Sequence, residues 1–115
     1  MRKKSKRTGS KKEEYIRNQL MEALPGIQET ANSGARFGDA DLSNKDWVIE
    51  VKSTVKTSYR IEKALLQKTV DTALLRNKQP AIVVMLSAET PEEDNCFVIL
   101  PLRTAITLMK NSEVM

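Results

Sequence analysis

The sequence predicts an α/β or α+β fold in which helices flank one central mixed β-sheet. Helical and strand patterns alternate along the 115 residues, as they do in domains built around a single sheet. The continuous apolar run at 81–86 is typical of a strand that is buried on both faces. A helical segment separates this run from the strand at 47–51, which favours a crossover between parallel strands.

The first helix is expected from about Ser10, because apolar residues then recur at spacings of three and four. Pro25-Gly26 ends it. The stretch 27–38 is short and broken by two glycines, so it suits a brief strand followed by a loop. The apolar stripe of this helix comprises Ile16, Leu20, Ala23 and Leu24.

Two strands joined by a polar turn are predicted within residues 39–54. Branched and aromatic residues at 47–51 favour the second strand. Glu50 and Lys52 lie on one face of it, because the side chains of a strand alternate between its two faces.

The second half of the chain predicts a helix over 60–77, the buried strand, an acidic loop at 89–95, a strand at 97–100 and a last helix from Pro101. The apolar stripe of the first of these helices comprises Leu66, Val70, Ala73 and Leu74, and that of the last comprises Leu102, Ala105, Ile106 and Met109.

Composition excludes several kinds of chemistry. Apolar residues make up 40% of the chain, enough for one core, but no apolar run exceeds six residues, whereas a membrane span needs roughly 18. Histidine is absent and Cys96 is the single cysteine, which excludes Ser-His-Asp triads, His-based zinc sites and internal disulfides. No signal peptide is expected, because no apolar stretch follows the basic first residues. We therefore expect a cytoplasmic protein whose chemistry relies on carboxylates, lysines and hydroxyls.

Basic residues concentrate at the N-terminus. Residues 1–12 hold seven of them and no acidic residue, which leaves 12 basic and 15 acidic residues in the rest of the chain. We expect residues 1–10 to form a flexible arm that binds nucleic acid, ahead of a single domain at 11–115. The alternative is a solvated terminus that only aids solubility. The candidate DNA contacts here are Arg2, Lys3, Lys4, Arg7 and Lys11.

The stretch 38–52 carries the residues best suited to catalysis. An aspartate, Asp39 or Asp41, begins a hairpin, and Glu50 and Lys52 follow on one strand face. Two neighbouring carboxylates repel each other unless a cation neutralises them, and Mg²⁺ needs only one or two carboxylates plus water and phosphate. A lysine can position or deprotonate a water, or stabilise charge on a phosphate. The set predicts metal-assisted hydrolysis of a phosphodiester. The alternative is a set of turn residues beside a solvated strand face.

The segments GDADL (38–42) and WVIEVKST (47–54) resemble motifs II and III of the PD-(D/E)XK nuclease superfamily, especially the small Holliday junction resolvase-like enzymes of archaea and phages. The similarity continues in SYRI (58–61) and NKQPAIVVM (77–85), and covers roughly residues 10–86. It implies a restriction-endonuclease-like core, in which a mixed sheet is flanked by helices, and metal-dependent cleavage of DNA.

The resemblance also implies roles for individual residues. Asp41, Glu50 and the backbone carbonyl of Val51 would hold Mg²⁺, for which Mn²⁺ can substitute, and Lys52 would orient the attacking water. Asp41 is the better match to the family aspartate, because it lies nine residues before Glu50 and precedes an aliphatic residue. Asp39 remains the alternative.

Two further site residues are implied on the helices. The family's helical glutamate matches Glu13, which lies along the apolar stripe of the first helix. Because Ser10-x-x-Glu13 is also a capping box, Glu14 is the alternative. Gln67 matches a supporting glutamine on the helix after motif III, or is a partly exposed polar residue of that helix. Candidate phosphate contacts near the site are Arg36, Lys56 and Arg60.

The function implied by the resemblance is structure-selective cleavage of branched DNA, such as a four-way junction, in recombination and repair. A homodimer is implied too, because a two-fold protein matches a two-fold junction. The alternatives are another PD-(D/E)XK role, such as nicking, flap or restriction-type cleavage, and a non-catalytic DNA-binding module.

Overall fold

A computed structural model of the chain describes residues 14–29, 41–89 and 95–112. Within these residues a five-stranded mixed sheet is flanked by three helices, which confirms the predicted fold class. The elements are α1 at 14–20, β1 (Gln28–Glu29), β2 (Leu42–Ser43), β3 (Trp47–Ser53), α2 (Lys63–Arg76), β4 (Gln79–Met85), β5 (Cys96–Ile99) and α3 (Leu102–Lys110).

The strands lie side by side in chain order, from β1 to β5. Neighbouring strands are antiparallel except β3 and β4, which are parallel over seven residue pairs from Trp47–Gln79 to Ser53–Met85. The helix α2 connects these two strands, as the sequence predicts. This arrangement is consistent with a restriction-endonuclease-like core.

The two faces of β3 pack against different helices. Ile49 lies in the main hydrophobic core with Ile16 of α1, whereas Val48 packs against Ala73 of α2. Because strand side chains alternate, the even-numbered residues of β3 lie on the side of α2. Glu50 is one of them, and this places it away from the main core.

The helix α2 contacts the sheet through small side chains. Its buried residues are Thr69, Thr72 and Ala73, and the Thr69 hydroxyl donates to the Leu65 carbonyl at 3.0 Å, so its burial leaves no unsatisfied donor. Leu74 is 71% exposed, so its assignment to the apolar stripe was wrong. The small residues let the helix lie close to the branched side chains of the sheet. When the helix is rotated so that these residues face the sheet, Leu74 faces solvent.

Several element ends differ from the expectation. The helix α1 ends at residue 20 and a series of turns follows to Gly26, whose φ of 77° suits glycine. Asn77 ends α2 in the left-handed conformation, with φ 59°. The strand β4 begins at Gln79, so it includes Pro80, and it is buried from there to Met85 as the apolar run predicts. Among the described residues, no helix is long and apolar enough to cross a bilayer.

Met85 tests the main core. Its side chain is fully buried, so we expect Met85→Ala to lower the free energy of unfolding by about 2–5 kcal/mol. Urea denaturation at neutral pH measures this change. The matched control is Met21→Ala, since Met21 is 53% exposed and should cost less than about 0.5 kcal/mol. Equal losses in the two variants would contradict the core described here.

Candidate active site

The β2–β3 hairpin brings Asp41 beside Glu50. Leu42 pairs with Ile49 and Ser43 with Val48, so one more step of this antiparallel register places position 41 opposite position 50. Residues opposite each other in antiparallel strands share a face of the sheet. The two carboxylates therefore lie on the same side of the sheet.

Asn44 fixes the hairpin turn. Its Oδ1 accepts the backbone N–H groups of Asp46 at 2.9 Å and Trp47 at 2.8 Å, as asparagine does in Asx turns. Its Nδ2 donates to the Pro25 carbonyl at 3.0 Å. The turn is thus bonded both to β3 and to the segment that follows α1. These bonds stabilise the β2–β3 register, which places Asp41 opposite Glu50.

The Asp41 carboxylate is anchored to the backbone of β3. Its Oδ2 accepts the N–H of Val51 at 2.8 Å. Charge-assisted bonds of this kind are stronger than neutral ones. The side chain therefore has a fixed position next to the strand that carries Glu50. The donor, Val51, is also the residue whose backbone carbonyl is expected to bind the metal.

Glu50 and Lys52 form a close ion pair on one face of β3. Glu50 is only 8% exposed, and its Oε2 lies 3.2 Å from the Nζ of Lys52. The strand period of two accounts for this contact.

The charges around Glu50 act in opposite directions on its pKa. Burial raises the pKa and the Asp41 carboxylate raises it further, while Lys52 and Lys68 lower it, and the balance lies above the ordinary value of 4.5. Ionised Glu50 is therefore disfavoured by its surroundings in spite of its ion pair. A positive charge added between the two carboxylates would relieve this repulsion.

Lys52 is a cation in this setting. Burial lowers its pKa, but the negative charge and hydrogen bond of Glu50, together with Tyr59 and Asp41, raise it above the ordinary value of 10.5. At neutral pH the ammonium has no site for another proton. Of the roles considered above, the geometry supports donation of hydrogen bonds and stabilisation of negative charge rather than removal of a proton.

On α2, the charge of Lys68 acts on Glu50, although Lys68 is exposed. Gln67 is exposed too and its Nε2 donates to Asp71 at 3.0 Å, which agrees with the alternative of an exposed polar residue of that helix. The buried pair Thr69 and Ala73 sets the rotation of the helix and leaves Lys68 at the flank, where its charge acts on Glu50. The predicted stripe included Ala73 but not Thr69, which lies four residues earlier on the same buried helix face.

An open groove of about 400 Å³ lies next to Lys52. Arg60 borders it but is turned outward, with its side chain 85% exposed and 3.6 Å from the carboxylate of Glu62. Lys56, also expected to contact phosphate, is exposed on the loop after β3. The groove is lined by Lys52, Tyr59, Arg60, Glu62 and Leu65.

Of the remaining candidates from the sequence, only Glu14 lies within the described residues. It is exposed and pairs with Arg17 at 3.9 Å, and its helix covers the face of the sheet opposite to Glu50. The others lie outside the described residues, and they are Arg2, Lys3, Lys4, Arg7, Lys11, Glu13, Arg36 and Asp39.

Asp41 and Glu50 fit a cation whose coordination is completed from elsewhere. In the part of the chain that the structure describes, no group of three or more His, Cys, Asp or Glu side chains is placed to hold a metal ion. Mg²⁺ usually keeps several waters and uses one or two carboxylates plus substrate phosphates. The pair therefore suits Mg²⁺ at a phosphodiester better than a metal enclosed by protein ligands.

Neither the family models nor the curated proteins compared with this chain gave a match.

The cost of the Glu50 charge can be measured. Because folding raises the pKa of Glu50, the ionised form destabilises the fold at neutral pH. Relative to the wild type, we expect Glu50→Gln to gain on the order of 1 kcal/mol in free energy of unfolding as the pH rises from below 4.5 to 7, on top of a pH-independent loss of the ion pair with Lys52. The gain should disappear as the pH falls through the raised pKa to below 4.5, where the wild-type carboxyl is protonated too.

Urea denaturation over a pH series tests this expectation. The control is Glu62→Gln, since that carboxylate is 64% exposed in its pair with Arg60 and such pairs contribute less than about 1 kcal/mol. A Glu50→Gln protein whose stability relative to the wild type does not rise with pH would show that Lys52 fully compensates the buried charge.

Proposed function

We propose that this chain is a metal-dependent, structure-selective DNA endonuclease, similar to Holliday junction resolvases, that hydrolyses phosphodiester bonds in branched DNA. One observation carries the proposal: Asp41, just before β2, lies beside Glu50 and Lys52 of β3 in a mixed sheet. A carboxylate whose pKa is shifted by burial and by specific charged neighbours, as that of Glu50 is, is a candidate for a functional site. The order of elements, with α2 between the parallel strands, also supports the resemblance to the PD-(D/E)XK nuclease superfamily.

The site residues have separate tasks in this proposal. Asp41 and Glu50 supply the negative oxygens that hold Mg²⁺, and the bond from Val51 keeps Asp41 in place before any ligand arrives. Bound Mg²⁺ would polarise the phosphate and activate water for attack. Lys52, protonated beside Glu50, donates hydrogen bonds to the phosphate and stabilises the negative charge that develops on its oxygens.

The surroundings of the site suit contact with a DNA backbone rather than with bases. The groove next to Lys52 is open. Arg60 borders it, and Lys56 is exposed on the loop after β3. Contacts of this kind fix the position of a nucleic acid but carry no base sequence directly. Selectivity would then come from DNA shape, and paired cuts in a four-way junction would require a homodimer.

Cleavage of a labelled four-way junction in Mg²⁺, with a linear duplex of the same sequence as the second substrate, tests the activity. We expect paired symmetric cuts in the junction alone. Glu50→Gln and Lys52→Ala should each lower the rate by at least about 10²-fold. The matched controls Glu22→Gln and Lys45→Ala alter an exposed carboxylate and an exposed lysine that do not line the groove and should cleave at the wild-type rate.

The other outcomes separate the alternatives. Cleavage of both substrates would support a nuclease but contradict a resolvase. It would favour a nicking, flap or restriction-type role. No cleavage in Mg²⁺ or Mn²⁺, with junction binding retained by wild type and variants alike, would identify a non-catalytic DNA-binding module.

Metal binding has a readout that needs no DNA. A ligand that binds only the folded state stabilises it, by about 2.7 kcal/mol at a hundredfold excess over Kd, so Mg²⁺ should raise the Tm of the wild type. The increase should be lost in Asp41→Asn and Glu50→Gln and kept in Glu62→Gln. Equal increases in all four proteins would place the bound cation away from these carboxylates.

A further inference from the structure

The groove next to Lys52 extends the candidate active site toward α2. Lys52 lies at one side of the groove, and its ammonium is 3.2 Å from the Glu50 carboxylate. Two half-buried side chains line the groove further on: Tyr59, from the connection after β3, and Leu65, from the first turn of α2. The groove therefore opens beside the place where the proposed function puts the phosphate.

The lining of this groove combines a cation with aromatic and aliphatic side chains. Its volume of about 400 Å³ lies within the range of roughly 300–1,000 Å³ that is usual for small-ligand sites. Lys52 supplies positive charge at one side, and Tyr59 and Leu65 supply apolar area next to it. A nucleotide is divided in the same way, because its phosphate is charged and its base presents a flat π-face.

Tyr59 lies close enough to Lys52 for the two side chains to interact electrostatically, since Tyr59 is among the groups that raise the pKa of Lys52. An aromatic ring so near to a cation that binds phosphate offers a stacking surface next to the DNA backbone. Proteins that bind unpaired strands combine positive charge along the backbone with aromatic side chains on which bases stack. Lys52 and Tyr59 form such a combination.

Backbone hydrogen bonds hold the start of the connection that carries Tyr59. The Thr54 N–H donates to the Met85 carbonyl at 3.0 Å, and the Ser87 N–H donates to the Lys56 carbonyl at 2.9 Å. These bonds fix the first residues of the connection to β4 and to the loop after it, and its last residues lead into α2. The groove is therefore largely formed before a ligand arrives, and less conformational freedom is lost on binding.

We propose that this groove binds the unpaired base of a nucleotide next to the scissile phosphate, stacked on the ring of Tyr59. The inference rests on the proposed function, because it takes the phosphate at Lys52 to be part of DNA. A base in a duplex must first leave its stack, and the cost is least where the base is already unpaired. The groove therefore makes branched DNA with an unpaired nucleotide at the branch a better ligand than a fully paired junction.

Stacking of this kind does not read base sequence. Every base has a π-face, so the ring of Tyr59 distinguishes an unstacked base from a stacked one but does not distinguish one base from another. The stacked base thus adds to the backbone contacts, and the selectivity remains one for the shape of the DNA.

Equilibrium binding of four-way junctions in EDTA tests the groove without cleavage. One strand carries a single unpaired nucleotide at the branch, and the comparison DNA carries an abasic residue at the same place, with each strand used in turn. On at least one strand, we expect the full-length wild type to bind the DNA with the base at least about fivefold more tightly, the smallest effect usual for one stacked base. This comparison needs no substitution in the protein.

Three variants test whether the ring causes this preference. Tyr59→Leu removes the ring and keeps an apolar side chain, so the preference for the base should disappear. Tyr59→Phe keeps the ring and should keep the preference. The matched control Val55→Ala alters a 56% exposed residue of the same connection that does not line the groove, and it should bind like the wild type. Circular dichroism checks that every variant is folded.

Equal affinities of the wild type for the two DNAs on every strand, or no binding of either DNA, would overturn the inference. A preference that persists in Tyr59→Leu would also overturn it, as would one that is lost in Tyr59→Phe, because the ring would then not be its cause.

The base site and the nuclease fail separately. Junction cleavage in Mg²⁺ without a preference for the base would support the nuclease and reject the base site. A preference for the base in a protein that cuts no DNA in Mg²⁺ or Mn²⁺ would support the base site and reject the nuclease.

Discussion

The parallel pairing of β3 with β4 is the constraint on which the site depends. The strand β4 is buried at six of its seven residues and β3 at its residues 48–50, and strand side chains alternate between faces. A shift of one residue would exchange Ile49 with Glu50, moving a carboxylate into the main core and an apolar side chain out of it. The position of the carboxylate is thus set by the packing of the whole sheet, and the local ion pair with Lys52 adds to an arrangement that the core has already fixed.

The same packing makes the site unfavourable for folding. Glu50 loses water and faces Asp41, and the nearby ammonium groups compensate only in part. A protein selected for stability alone would place a neutral side chain here, since most natural proteins lie above a stability threshold rather than at their optimum. In the proposed function, this retained charge is the one that would bind the divalent cation.

Features with local causes were predictable from the sequence, and features set by tertiary contacts were not. Periodicity determines the elements, and the strand period alone places Glu50 and Lys52 on one face. The position of Asp41 opposite Glu50 required the register of the hairpin, which depends on pairing between strands. The exposure of Leu74 has a similar origin, because close contact between Ala73 and the sheet decided the rotation of α2. The stripe of α3 is real in the sequence, yet no residue of that helix is buried, because periodicity alone does not determine how deeply a stripe is buried.

The bond between Asp41 and the N–H of Val51 has an evolutionary consequence. An oxygen acceptor at this position completes the backbone hydrogen bonding of β3 whatever chemistry the site performs. If Glu50 and Lys52 perform the proposed chemistry, lineages that lost it would be free to replace these two residues. Position 41 would remain under selection for aspartate or asparagine, so in degenerate descendants the persistence of this one residue would record folding rather than catalysis.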